Sequence, residues 1–195
     1  MPVPARDWLR AMPKIDLHLH LDGSLRLQTL IDLARREKVK LPSYSDAGLR
    51  RLVFKDTYRD LPEYLQGFAY TCAVLRRPEN LERVARELVE DNAAEGVRYI
   101  EVRFAPQLHV CDRLTATEAV RAVAKGLGAG AQAHNRRPEV RRGADLPFHY
   151  GVIVCGMRKF KKGMSQYYSS LLSIMEHADQ DDVYANDLAT RDGRS

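Results

Sequence analysis

Short strand-length runs alternate along this chain with longer segments whose apolar residues recur at helical spacing. The short runs are IDLHLHLD at 15–22, VRYIEVRF at Val97–Phe104, FHYGVIVC at 148–155 and DVYANDLA at 182–189. Each has the length and composition of a strand. After the first, SLRLQTLIDLARREKV puts Leu27, Leu30, Ile31 and Ala34 on one helical face, with Ser24 as N-cap. A polar connection through Pro42, Ser43 and Gly48 follows. In DLPEYLQGFAYTCAVL, Asp60 and Pro62 supply a start signal, and Leu65, Phe68, Ala69 and Cys72 fall at i, i+3, i+4 and i+7. Pro78–Ala94 carries Leu81, Val84, Ala85, Leu88 and Val89 on one face before Gly96 stops it. TATE at 115–118 has capping-box spacing and opens a helix to about residue 132, and SQYYSSLLSIMEHA at 165–178 is helical.

Strand–helix alternation implies a parallel sheet, because parallel neighbours need long crossovers rather than hairpins. A closed eight-unit barrel takes roughly 250 residues. Four βα units in 195 residues therefore predict an α/β fold that is the N-terminal half of a TIM-type (β/α)8 barrel. The chain reads as one incomplete domain over 1–195, with the C-terminal half absent.

Composition narrows the function classes. The net charge of +5 is mildly basic, but the arginines at 136, 137, 141 and 142 and the lysines at 159, 161 and 162 lack interleaved aromatics. A solvated surface explains them, and no nucleic-acid partner is expected. No apolar run is long enough to span a membrane, and the N-terminal stretch has no signal-peptide core. Three cysteines (Cys72, Cys111 and Cys155) without CxxC spacing argue against a disulfide framework. They predict a reducing, cytoplasmic setting, with the cysteines acting as small hydrophobes.

The run at 15–22 carries the chemistry. Alternation puts Ile15, Leu17, Leu19 and Leu21 on one face and Asp16, His18, His20 and Asp22 on the other. Histidines two apart on a strand point the same way and can converge on one zinc ion. A solvated strand face would show the same alternation, but barrel interiors are normally filled by Val, Ile and Leu, so an inward polar row needs a purpose. Glu101 and Arg103 share a face of the second strand and read as a structural ion pair or hydrogen-bonded network. His109, His134, His149 and His177 read as surface or core histidines.

At this point the chain resembles a known family. PKIDLHLHLDGSLRLQTLIDLA closely resembles the opening signature of the adenosine deaminase family of zinc aminohydrolases. DLPEYLQGFAY resembles its gate helix, EGVRYIEVRFAPQL its second strand and GVIVCGMR its third, in the same order. The resemblance implies a Zn2+ cofactor held by His18 and His20, with His20 also at the substrate. It implies that Asp22 contacts the ribose 5′ region of a purine nucleoside, and that Leu61, Tyr64, Leu65 and Phe68 form an apolar gate. Those four positions suit ordinary helix-to-core packing equally well. The implied reaction is hydrolytic deamination of adenosine, and of 2′-deoxyadenosine, to the inosine product.

The family's general-acid glutamate, third histidine ligand, aspartate ligand and water-orienting histidine belong to later strands and have no match here. The chain alone is therefore expected to be inactive. Thr190 stands where the family has a purine-facing glycine, so that contact is not carried over. Two other readings remain open: a related deaminase acting on adenine or a modified adenosine, and a non-catalytic half-barrel. Its open parallel edges predict self-association.

Overall fold

The structure is a computed structural model that describes residues 8–9 and 12–156. The expected helix at 165–178, the expected strand at 182–189, His177 and Thr190 lie outside the described residues. Three strands, β1 (Lys14–His20), β2 (Val97–Phe104) and β3 (His149–Val154), form a parallel sheet in the order β1-β2-β3. The first crossover contains α1 (Leu27–Glu37), α2 (Asp46–Leu52), α3 (Leu61–Val74) and α4 (Pro78–Ala94). The second contains α5 (Ala116–Asn135) and the single turn α6 (Pro138–Arg141).

The core joins the sheet to α4 and α5. Ile100, Val102 and Phe104 of β2 and Val152 of β3 are buried with Leu81, Val84 and Leu88 of α4 and Val120, Val123 and Leu127 of α5. Each such side chain contributes about 1.5–3 kcal/mol by leaving water. The alternate residues of β2, Tyr99, Glu101 and Arg103, are only half-buried. Helices therefore cover one face of the sheet, and the other carries the polar side chains.

Local signals explain most boundaries. Asp60 accepts from the Glu63 N–H at 2.9 Å and starts α3. Thr115 and Glu118 form the capping box that starts α5, which runs to Asn135, nearly a turn beyond the expected end. Gly96, with φ of 84°, turns the chain from α4 into β2, a conformation that favours glycine.

Three expectations need correction. The polar connection contains a helix, α2, whose N-cap Ser45 accepts from the Gly48 N–H at 3.1 Å. Ser24 does not cap α1, because β1 ends at His20 and Leu21–Gly23 forms a 3-10 turn. Ser24 closes that turn through its N–H to the Leu21 carbonyl at 3.2 Å, and its hydroxyl donates to the His20 carbonyl at 2.6 Å. In α3 the buried line is Gly67, Thr71 and Val74, not the apolar stripe read from spacing.

The approach of α4 and α5 depends on glycine. A Cβ at Gly126 would stand 2.2 Å from the Glu82 carbonyl oxygen, and one at Gly130 would stand 2.7 Å from the Val89 Cβ. We expect Gly126→Ala to destabilise the protein by roughly 1–3 kcal/mol in urea denaturation, overpacking outweighing the gain in helix propensity. Gly128→Ala, which meets only the Tyr150 hydroxyl at 3.1 Å, should cost less.

Candidate functional site

The histidines lie at an irregularity in β1. Asp16 aligns with Ile100 and Leu19 with Val102, so Leu17 and His18 together stand opposite Glu101. Two residues facing one is the pattern of a β-bulge. The Asp16 Oδ1 accepts from the His18 N–H at 3.0 Å, a local contact that holds the extra residue in place. The bulge breaks the expected polar row. Asp16 falls in the row of the core residue Ile100, while His20 aligns with Arg103 on the helix-free side. Asp22 is on the following turn rather than on the strand.

His18 and His20 nevertheless converge, their Nε2 atoms 3.3 Å apart and their ring centroids 5.3 Å apart. Two nitrogens bound to one tetrahedral zinc at about 2.0–2.1 Å would lie about 3.4 Å from each other. The spacing therefore fits a shared ion, and it also permits one ring to donate to the other. Both histidines are exposed. Among the described residues no group of three His, Cys, Asp or Glu side chains could complete a metal site.

Asp22 is different, being only 6% exposed. The Cys72 thiol donates to its Oδ2 at 3.7 Å, and its Oδ1 has no protein partner. Burial, then the charge of Asp22, pushes the Cys72 thiol up to about 12. Cys72 therefore stays protonated at neutral pH and acts as a donor, a role its reading as a small hydrophobe missed. His109 is fully buried, with its ring 6.0 Å from that of Phe104. Burial holds its imidazole below the usual range, against the opposing pull of Asp22.

The gate candidates do not pack into the core. Leu61 is 65% exposed, and Tyr64 and Leu65 are also exposed. Phe68 is half-buried, and its ring lies 3.4 Å from where a Cβ of Gly23 would stand. Tyr58, Tyr64 and Phe68 form an edge-to-face series with centroids 5.1 and 5.7 Å apart. Helix-to-core packing thus leaves the exposed three unexplained.

Glu101 and Arg103 form no ion pair in the described structure. Glu101 instead accepts the Tyr99 hydroxyl at 3.2 Å. The Arg103 Nε is buried without a partner. His134 is a core histidine 3.1 Å from the Leu146 carbonyl, while His149 is exposed. A cavity of about 270 Å³ lined by Glu37, Ala73, Arg76, Cys111, Asp112 and Arg113 shares no residue with the histidine site.

A family model described as adenosine deaminase matches residues 13–192. A probable adenosine deaminase of Dictyostelium discoideum is 37% identical over 161 residues, which cover 82% of this chain and 19% of that protein. An adenosine deaminase of Clostridium botulinum is 39% identical over 160 residues, covering 80% of this chain and 48% of that protein. The chain thus spans about half the length of the second relative and about a fifth of the first. Among solved structures, an Arabidopsis N6-mAMP deaminase superposes with a TM-score of 0.67 at 23% identity, covering 89% of this chain and 48% of that one. An amidohydrolase of Burkholderia ambifaria with bound zinc superposes with a TM-score of 0.55 at 20% identity, covering 87% and 51%. At these identities the likeness is one of fold, and the open parallel sheet is part of a barrel of this deaminase type.

The chemistry of Cys72 has a direct consequence. At pH 8 we expect iodoacetamide to alkylate Cys72 more slowly than Cys111, because the thiolate is the nucleophile and Cys72 holds its proton. Peptide mass spectrometry over a time course measures both rates.

Proposed function

This chain belongs to the adenosine deaminase family, and on that premise we propose that it carries the N-terminal half of a zinc site for hydrolytic deamination of adenosine and 2′-deoxyadenosine. The observation that supports this most directly is the 3.3 Å approach of the His18 and His20 Nε2 atoms. These two side chains would hold the ion, which when bound supplies an activated water at neutral pH. A hydrolytic zinc site takes three protein ligands, so the remaining ligand and the general acid come from outside the described residues.

The other residues bind and orient. The free Oδ1 of Asp22 accepts a hydroxyl from the ribose 5′ region. A carboxylate there repels a phosphate, which favours a nucleoside over a nucleotide. Phe68 reaches the Gly23 turn beside Asp22, and with the exposed Leu61, Tyr64 and Leu65 of the same helix it would exclude water from the purine. Ser24, donating to the His20 carbonyl, and Asp16, accepting from the His18 N–H, fix the backbone that presents both rings.

Calorimetric titration with zinc tests the site. We expect one ion per chain, with His18→Ala and His20→Ala each weakening binding by at least about tenfold, since even outer-shell changes at metal sites cost that much. Ammonia release from adenosine by the 195-residue chain should stay far below enzymatic rates. Zinc binding unchanged in both variants would refute the site.

The partner reading is a second copy of the chain. β1 is an edge strand among the described residues, and on it Ile15 is 66% and Leu17 49% exposed. An uncovered edge with apolar side chains is a template for association. Light scattering should give a mass above that of one chain, and Leu17→Lys should shift it toward the monomer. None of the described helices is long and apolar enough to cross a membrane. The three unpaired cysteines support a reducing, cytoplasmic setting.

A further inference from the structure

Asp22 presents a problem that the zinc reading leaves unanswered. A buried carboxylate needs hydrogen-bond donors or a cation. Among the described residues no arginine or lysine pairs with it, and the nearby His109 is held toward its neutral form by burial. The one directional contact is the Cys72 thiol on Oδ2. Cys72 is on the face of α3 that also carries Leu61, Leu65 and Phe68, at positions related by about one, two and three helical turns. Near its C-terminal end this face meets the Leu21–Gly23 turn twice, through Phe68 against Gly23 and Cys72 against Asp22. Towards its N-terminal end the same face is exposed.

We propose that Cys72 is a positioning residue, whose thiol holds Oδ2 of Asp22 so that the buried, unpartnered Oδ1 alone is left to accept from a ligand hydroxyl. The same contact ties α3 to that carboxylate, so the apolar residues of the helix are placed relative to the acceptor. A thiol carries a single S–H donor, so it engages one oxygen of the carboxyl group and leaves the other. The high pKa of the thiol keeps the proton on sulfur. This inference rests on the assignment of Asp22 to a ribose hydroxyl, and it extends that assignment to a residue on another element.

The test has two arms, both on the full chain. The infrared difference spectrum of wild type minus Cys72→Ser isolates the Cys72 S–H stretch. We expect it displaced to lower frequency than a free thiol, partly released by Asp22→Asn and fully released by Asp22→Ala. A free-thiol band in the wild-type protein would overturn the proposal whatever the chain binds. In the second arm, calorimetry compares adenosine with 5′-deoxyadenosine, which lacks the hydroxyl. Cys72→Ala should weaken adenosine roughly fivefold, the worth of one net hydrogen bond. It should leave 5′-deoxyadenosine unchanged, and Cys72→Ser should restore adenosine binding. Equal loss for both nucleosides would reduce Cys72 to packing and overturn the proposal. Failure of the wild-type chain to bind either nucleoside would refute the nucleoside reading, and the S–H band would then still decide the contact.

Discussion

Helices α4 and α5 approach so closely that a side chain at Gly126 would collide with the Glu82 carbonyl oxygen, and this contact holds both crossovers on one side of the sheet. Beneath them β2 alternates strictly, with Ile100, Val102 and Phe104 toward the helices and Tyr99, Glu101 and Arg103 away from them. β1 and β3 pair with β2 in parallel, so their faces are set by its register. The β2 residues on the covered face are apolar. The helix-free face therefore receives the polar side chains, and the histidines of β1 belong to it.

The bulge in β1 refines that arrangement. In a regular ladder Asp16 would share a face with His18 and His20. The extra residue shifts the register, places Asp16 in the row of Ile100 and leaves His20 beside Arg103. The Asp16 carboxylate becomes part of the backbone support by accepting from the His18 N–H. Bulges recur beside active sites because they re-aim a side chain without dissolving the sheet. Here the result is a pair of imidazole nitrogens separated by the edge length of a tetrahedral zinc site.

The turn after β1 combines two demands. It must bury Leu21 in the core and hold Asp22 out of water. The buried carboxylate is contacted by a thiol rather than an arginine, and only one of its two oxygens has a partner. Uncompensated buried polar atoms concentrate where a protein binds something. The unpartnered Oδ1 of Asp22, so close in sequence to the histidines, is such an atom.

Much of this was legible in the residues alone, where local rules decide. β2 and α4 begin and end as expected, because β-branched runs, Pro78 and Gly96 act within a few residues of themselves. The meeting of His18 and His20 was legible for the same reason, since residues two apart on an extended backbone share a side. The fate of Asp16 was not, because the bulge arises from pairing with a strand some eighty residues later. Nor was the buried line of α3, where apolar spacing marked the stripe of Leu65, Phe68 and Cys72 while the tertiary structure buries Gly67, Thr71 and Val74. Small residues there let Phe54 and Val53 come close, and nothing in the helix itself announces that. The contact between Cys72 and Asp22 spans 50 residues. By itself the sequence determined which segments are strands and helices and which side chains could carry chemistry, because those properties depend on near neighbours. Only the tertiary structure decided which of these side chains meet, because burial and register are set by elements distant in the chain.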